Sequence, residues 1–407
     1  MLSSAASCRR EPREFGVESP FIAPRLRSLG VSVFAEMSGL AAKHGAVNLG
    51  QGFPDFPGPD FVKDAAKRAI DADLNQYAHP NGLPVLRQAI AADWEARFGQ
   101  VLDADRDITV TSGATEAIFD CVQAFLQPGE EMIVFEPYYD SYAASALVAH
   151  GSLRPVRLQE PDWSFTPDDL ERALTGKTRI ILLNTPHNPT GKVFTREELG
   201  WIADIAIRND LLVLTDEVYD RILYPGHEHV SIATLPGMWE RTLTINSTGK
   251  TFSLTGWTIG YTIGPEALQE GLRAVHQFVT FATSTPFQAA MAEALSTAEE
   301  RGYYAQLATD YDRRRLLLKD GLERAGFNVL DTGGSYFLLT SLPQDRFASD
   351  VDLARWLIEE IGVATVPPSA FYAEPETAPF LLRFCFAKQD ETLRAAAERL
   401  QDVHRRI

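Results

Sequence analysis

Thr242-Leu243-Thr244-Ile245-Asn246-Ser247-Thr248-Gly249-Lys250-Thr251-Phe252-Ser253 sets a short apolar, β-branched run directly before small and hydroxyl residues that contain one lysine. A strand that delivers Lys250 into so confined a setting keeps its amine from stretching into water. That favours a lowered pKa and Schiff-base chemistry. In isolation the same segment reads more readily as a surface lysine in a turn, so its meaning rests on what surrounds it.

Outward from this stretch the chain alternates. Between about Phe61 and Leu235, helical segments (Phe61–Ile70, and Leu83–Phe98 with Val85, Leu86, Ala89, Ile90 and Trp94 on one face) interleave with strand candidates at Ile108–Thr111, Met132–Phe135, Ile180–Asn184 and Leu211–Thr215. Short β-branched runs of this kind suit strands buried on both faces of an α/β sheet layered with helices. After about Pro286 the texture changes to long helices (Gln288–Thr297, Gly302–Ala325), short strands (Asn328–Asp331, Ser335–Thr340, Leu381–Phe386) and a closing helix over Asp390–His404. This predicts a second, smaller α+β domain. The segment up to about Pro59 lacks strong periodicity and is expected to wrap around it.

Composition excludes several function classes. The chain has 407 residues, 45% hydrophobic and 23% charged, as a soluble globular protein with a large core would. Lys+Arg 38 against Asp+Glu 55 gives a net charge of −17, which argues against sequence-independent binding to nucleic acid or to an anionic membrane. No apolar run approaches the roughly 20 residues needed to cross a bilayer. Cys8, Cys121 and Cys385 are widely spaced and support neither a disulfide framework nor a metal site. The start, Met1–Arg13, is loosely transit-peptide-like in its serines and arginines, but Glu11 and Glu14 interrupt it, so a flexible extension over 1–30 and cytoplasmic residence are expected.

Four further segments carry chemistry. Ile108–Thr111 runs into Ser112-Gly113-Ala114-Thr115-Glu116-Ala117, a strand, a glycine turn and a helix start. Its free amides and helix dipole suit a phosphate, and an ordinary βα turn capped by Ser112 or Thr115 is the alternative. Asp216, after Leu211–Thr215, stands where open α/β sheets place their ligands. It needs a cationic partner, and an ion pair or a helix cap would serve as well as a ligand. Thr185-Pro186-His187-Asn188-Pro189-Thr190-Gly191 is a rigid loop that aims Asn188, with a cis bond expected at one of its prolines. His187 is read as a bystander. Arg383 lies alone in the apolar run Leu381–Phe386, facing either an anionic ligand or an internal carboxylate.

In this order the segments resemble the class I aminotransferases of fold type I, which depend on pyridoxal 5′-phosphate. The match runs from about Val31 to the C-terminus. It is most specific in Val47–Asp55, Leu183–Gly191, Thr215–Tyr219 and Ser247–Lys250 continuing to Gly256-Trp257. Gln51–Phe56 and Leu235–Thr244 are most similar to the kynurenine–oxoglutarate/glutamine transaminase branch, and methionine and succinyldiaminopimelate aminotransferases also look close.

The resemblance implies a large cofactor-binding α/β domain over 60–286 with a mostly parallel central sheet, and a small α+β domain from 31–59 and 287–407. Lys250 would form the internal aldimine and shuttle the substrate proton. Asp216 would keep the pyridine nitrogen protonated, and Asn188 and Tyr219 would bond the phenolic oxygen. Tyr139 would stack on the ring, with Tyr138 second choice, and Gly113, Ala114, Thr115 and Ser247 would hold the phosphate. Arg383, helped by Asn188 and the backbone at Gly52, would grip the substrate carboxylate. Phe34, Tyr77 and Phe281 suit a large apolar or aromatic side chain, and Tyr77 and Phe281 match positions that a second subunit contributes, implying a homodimer with shared sites.

The implied reaction moves the amino group of an L-amino acid (aromatic or kynurenine, glutamine or methionine type) to a 2-oxo acid in two half-reactions. The alternatives are N-succinyldiaminopimelate as donor, β-elimination of cysteine S-conjugates at the same site, and a binding protein that kept only the fold. One position departs from the family pattern. Where a Lys or Arg follows Gly-Trp and pairs with the phosphate, this chain has Thr258. Losing a charge-assisted contact worth roughly 1.5–3 kcal/mol weakens cofactor affinity by about one to two decades, so an active but more easily resolved enzyme is expected.

Overall fold

Apolar β-branched runs, each broken by Gly, Pro or a polar cluster, form the strands that organise the chain. In the computed structural model, which describes residues 21–30, 32–401 and 403–406, these are β1 (Val47–Asn48), β2 (Ile108–Ser112), β3 (Glu131–Glu136), β4 (Ser152–Arg157), β5 (Thr178–Asn184), β6 (Leu212–Asp216), β7 (Thr242–Ser247), β8 (Ile259–Ile263), β9 (Asn328–Val329), β10 (Phe337–Ser341), β11 (Val363–Ala364) and β12 (Leu382–Cys385). Seven of them form one sheet in the order β2-β8-β7-β6-β5-β3-β4, parallel except for β8, which runs against both neighbours. The inner strands are buried on both faces, as the near-continuous Val/Ile/Leu runs of β5 and β6 require. The expected strands are all present. β6 runs one residue further than expected and ends on Asp216 itself.

Four strands were not anticipated: the two-residue β1 and β11, which pair with each other, and β4 and β8. β4 is an edge strand carrying Arg154, Pro155 and Arg157, with only Val156 fully buried, so its pattern is mostly polar. β8 is interrupted in sequence by Gly260 and two hydroxyl-bearing side chains, Tyr261 and Thr262, which hide an otherwise buried run. The segment before Pro59 holds more structure than its weak periodicity suggested. Val33–His44 is an α-helix, started by the Ser32 side chain accepting from the Ala35 amide and ended by Gly45 in the left-handed conformation. Its buried face (Val33, Met37, Ala41) packs into the core built by the Tyr303–Arg324 and Asp390–Leu400 helices and by the β12-β10-β9 sheet. The flexible extension expected over 1–30, including Cys8, lies mostly outside the described residues, although Pro24–Ser28 form a 3-10 turn. Cys121 and Cys385 are buried free thiols. Among the described residues no helix is long and apolar enough to cross a membrane.

Close approach fixes one glycine. A Cβ on Gly260 would lie 2.4 Å from the Gly113 carbonyl carbon and 2.7 Å from the Ala114 nitrogen, so β8 fits beneath the start of the Gly113–Phe125 helix only without a side chain. Gly260→Ala is therefore expected to destabilise the protein by about 3 kcal/mol, read as a lower urea midpoint at unchanged slope.

Candidate active site

The parallel strands deliver their carboxyl ends to one edge of the large sheet, and β8, running the other way, begins there. β2 ends at Ser112, β5 at Asn184, β6 at Asp216 and β7 at Ser247, while Thr258 immediately precedes β8. The result is a cavity of about 530 Å³ that is lined by these ends and closed from the other core by Phe337 and Arg383. Ligands of open α/β sheets bind at this edge because the strand ends and helix starts converge on it.

Lys250 sits in the short Thr248–Thr251 helix after β7, and its Nζ reaches the Gly52 carbonyl at 3.5 Å. The amine lies 5.8 Å and 5.7 Å from the ring centres of Tyr219 and Tyr336, and among the described residues it has no ion pair. Burial pushes its pKa down to about 8, and Arg383 acts in the same direction against the opposing pull of Asp216. An amine so placed is free to act as a nucleophile near neutral pH.

Asp216 is buried at the end of β6. It accepts a 2.7 Å hydrogen bond from the Tyr142 hydroxyl and a longer one from the Val218 amide. Burial raises its pKa to about 6 despite these donors. Behind it, Asn184 Nδ2 donates to the Asp216 carbonyl at 2.8 Å, and Asn184 Oδ1 accepts from the Asn188 amide at 2.7 Å. Asn188 Oδ1 in turn accepts from Arg383 Nη1 at 2.9 Å, and Nη2 donates to the Gly50 carbonyl at 2.8 Å. The loop carrying Asn188 has cis bonds at both Thr185-Pro186 and Asn188-Pro189.

Arg383 is 1% exposed, stacks on Phe337 with its guanidinium carbon 4.0 Å from the ring centre, and has a buried Nε with no hydrogen-bond partner. Among the described residues no carboxylate pairs with it. Of the two readings left open for this arginine, the internal ion pair is therefore not the one realised, and a planar anionic group is what its free edge fits.

At the opposite end, the helix from Gly113 to Phe125 starts at the cavity wall. Ser112, its N-cap, makes no side-chain cap, so the amides of Gly113, Ala114 and Thr115 have neither a cap nor a partner within the helix. Gly113 has φ +78°, which favours glycine, and Ser112 Oγ, Ser247 and Thr258 line the same corner, with 3.5 Å between Ser112 Oγ and Thr258 Oγ1. Among the described residues Lys250 and Arg383 are the cationic side chains lining the cavity, and their hydrogen bonds go to Gly52, Asn188 and Gly50 rather than to Ser112, Ser247 or Thr258.

The residues singled out in the sequence are mostly brought together: Phe34, Gly52, Gly113, Ala114, Thr115, Tyr139, Asn188, Asp216, Tyr219, Ser247, Lys250 and Arg383 all line the cavity. Two do not. Tyr77 is 84% exposed and Phe281 44% exposed, and they pack edge to face on the outer surface at 5.4 Å. Tyr138 is buried outside the cavity, leaving Tyr139 as the lining ring. At Gly52 the carbonyl is taken by the Tyr336 hydroxyl (2.6 Å) and Lys250, while the backbone that contacts Arg383 is at Gly50. His187 turns into its own loop toward Thr190, 2.8 Å away, and burial lowers its pKa to about 3, so it stays neutral. Tyr142, Asn184, Tyr336 and Asp140 were not singled out in the sequence. The signal for Tyr142 was the donor that a buried aspartate requires.

Three comparisons with known proteins show the family of the chain. Residues 44–400 match the family described as aminotransferase class I and II. The chain is 38% identical to methionine aminotransferase of Escherichia coli and 38% identical to human kynurenine–oxoglutarate transaminase 1, in both cases over 93% of this chain and 97% of the relative. The structure of N-succinyldiaminopimelate aminotransferase from Mycobacterium tuberculosis superposes with a TM-score of 0.90 at 41% identity, covering 93% of this chain and 99% of that one.

The two shifted groups give opposite pH signatures in the cofactor-free protein. Between pH about 8 and 10.5 the unfolded chain keeps the Lys250 proton that the folded chain has released, so stability rises with pH through that window. Between pH 3.8 and about 6 the fold retains the Asp216 proton that the unfolded chain has lost, so stability falls as pH rises. Lys250→Met is expected to flatten the alkaline limb of melting temperature against pH. Tyr142→Phe, which removes a donor to the carboxylate, is expected to extend the acid limb upward. Unchanged limbs would show that these groups do not titrate as the cavity dictates.

Proposed function

The chain belongs to the class I and II aminotransferases, and within that family we propose that it takes the amino group from an L-amino acid with a large neutral side chain, of the aromatic or kynurenine, glutamine or methionine type, and passes it to a 2-oxo acid. As a member of that family it depends on pyridoxal 5′-phosphate. The observation that carries the substrate reading is the buried, carboxylate-free Arg383 sharing one cavity with Lys250 and Asp216.

The cavity fits the cofactor. It offers a corner of uncapped amides and hydroxyls for a phosphate, a buried carboxyl for a ring nitrogen, and an unpaired amine for an aldehyde. When bound, the cofactor supplies an electrophilic aldehyde and a ring that absorbs the electron pair left when a proton departs. Lys250 would hold that aldehyde through Nζ, and the same amine would hold and move the proton at the substrate Cα. Asp216, kept close to neutral pH by burial, would pair with the ring N–H, and Tyr142 fixes its orientation. Tyr219 and Asn188 would hydrogen-bond the ring hydroxyl, Tyr139 would cover the ring face, and Gly113, Ala114, Thr115 and Ser247 would hold the phosphate. Arg383, with Asn188 and the backbone near Gly52, would align the substrate carboxylate so that the Cα–H bond faces Lys250.

The side-chain end of the cavity supports a neutral donor. Phe34, Phe53 and Phe337 line the cavity, Asp140 adds a carboxylate, and among the described residues no guanidinium or ammonium other than Arg383 and Lys250 lines it to receive an acidic side chain. Tyr77 and Phe281, exposed here, would complete the site from a second copy, in a homodimer with shared sites. The division into a large domain over 60–286 and a small one from 31–59 and 287–407 belongs to the same reading. Its support is the apolar core that gathers the Val33–His44 and Tyr303–Arg324 helices with β9, β10 and β12.

Lys250→Ala is expected to lower transamination by about 10³-fold or more and to abolish borohydride trapping of the cofactor. A trapped adduct elsewhere in the chain overturns the assignment of Lys250. In a half-reaction screen followed by absorbance, kynurenine, phenylalanine, glutamine and methionine should convert the loaded enzyme to its amine form, while aspartate and glutamate convert it at least about tenfold more slowly for want of a cation. Rapid conversion by the acidic donors would sink the neutral-donor reading. Arg383→Gln should raise KM for every donor by about 30-fold or more, whatever its side chain.

A further inference from the structure

Behind the helix start that lines the cavity lies a buried trio that none of the roles above uses. Glu116 and Asp120 stand one turn apart on the Gly113–Phe125 helix, and His276, on the Glu266–Val279 helix, faces both. The three residues are 9%, 0% and 1% exposed. Glu116 uses one carboxylate oxygen to accept from the Ser112 amide, at the lip of the cavity, and the other to accept from His276 Nδ1 at 2.8 Å. Asp120 Oδ2 is 3.7 Å from His276 Nδ1, and both Asp120 oxygens lack a hydrogen-bond partner.

Geometry fixes the charge of the imidazole. Nε2 lies 2.9 Å from the Pro80 carbonyl, which only accepts, so that nitrogen carries a proton. Nδ1 faces the Glu116 carboxylate, which His276 and the Ser112 amide hold below its ordinary pKa against burial, so it is ionised and only accepts, and His276 is doubly protonated. Burial alone would lower its pKa, and Asp120 and Glu116 reverse that, raising it to about 9. A metal ion is a poor occupant of this cluster. Two ligand atoms each roughly 2.1 Å from an ion sit about 3 Å or more apart, whereas Nδ1 and Oε1 are already in direct hydrogen-bond contact.

Two carboxylates in the first turns of this helix compete with an incoming phosphate for its positive end. Among the described residues no cationic side chain bonds the Ser112, Ser247 or Thr258 hydroxyls of that corner, where Thr258 stands at the rim. We propose that His276 is a charge-balancing positioning residue for the cofactor phosphate: its imidazolium cancels the Glu116 carboxylate that holds the Ser112 amide, leaving the Gly113–Thr115 amides open to an anion. The same ring ties the corner to the Pro80 segment, and its own carbonyl accepts from the amides of Thr280 and Phe281, so the corner is braced against the surface that carries Tyr77 and Phe281.

This inference rests on the cofactor reading above, and its test separates the two. Apo-protein is titrated with pyridoxal 5′-phosphate and, separately, with pyridoxal, which has the same aldehyde and ring but no phosphate, following tryptophan fluorescence and Schiff-base absorbance. Wild-type protein that binds neither at Lys250 defeats the cofactor reading. If wild type binds, His276→Gln should weaken pyridoxal 5′-phosphate by about tenfold or more and leave pyridoxal within about twofold. The double variant Glu116→Gln/His276→Gln should recover most of the loss, because a glutamine still accepts from the Ser112 amide without the charge. Equal weakening of both ligands, or no recovery in the double variant, overturns the proposal in favour of a merely structural histidine. Should His276→Gln fail to fold, Asp120→Asn decides. With the imidazolium kept and one carboxylate neutralised, binding of the phosphate form must hold or tighten, and weakening overturns the proposal.

Discussion

A chain of hydrogen bonds joins the two cores and sets the site. It runs from Arg383 in β12 to the Asn188 side chain, from the Asn188 backbone to Asn184 at the end of β5, and from Asn184 to the backbone of Asp216 at the end of β6. Each link uses a planar group with fixed directions, so the guanidinium and the carboxyl are held at a defined separation across the cavity. A one-residue slip in β5 or β6 would turn Asn184 or Asp216 to the other face and break the chain. The β5–β6 pairing is in register where it matters, with Asn184 opposite Asp216.

The site is assembled from groups that burial disfavours. Lys250 is driven toward its neutral form and Asp216 toward its protonated form, and Arg383 keeps its charge with an unsatisfied Nε. None of these stabilises the apo-protein, and on the proposed reading each would be matched by a complementary group on the cofactor or the substrate. Ligand binding therefore stabilises the fold by removing penalties the chain has accepted, and the cofactor-free form is the less stable one by mass action. The apolar cores on either side, which include Phe337 and Phe371 against the guanidinium, supply the rigidity that keeps these groups from relaxing away from one another.

Much of this was legible because the chemistry sits at strand ends. An aspartate closing a run of aliphatics, a lysine among small residues after a strand, and an arginine inside an apolar strand are each anomalous against their local pattern, and anomaly is what sequence reading detects. Tyr142 and Tyr336 were missed for the opposite reason. Aromatic residues in amphipathic segments look like core, and only the folded arrangement aims their hydroxyls at Asp216 and Gly52. The Val33–His44 helix was missed because its buried face is only Val33, Met37 and Ala41 and Gly39 on the exposed side weakens the helical signal, although Ser32 and Gly45 mark its ends. Tyr77 and Phe281 matched the family's pattern, yet a single copy leaves them on its surface. Residue type alone does not say which chain's cavity a ring will line.

The phosphate corner shows how a lost charge changes what the rest of a site must do. A lysine or arginine at position 258 would attract an anion from any direction and tolerate small displacements of the helix start. Amides and hydroxyls attract by direction, and their worth falls steeply once the angle departs from linear. With Thr258 at the rim, cofactor affinity on the proposed reading depends on whatever fixes the orientation of the Gly113, Ala114 and Thr115 amides. That is Gly113 at positive φ, Gly260 beneath it with no room for a Cβ, and the Ser112 amide pinned by Glu116. Backbone geometry here carries a task that a single side chain would otherwise perform, so substitutions far from any reacting atom act on cofactor retention before they act on the chemistry.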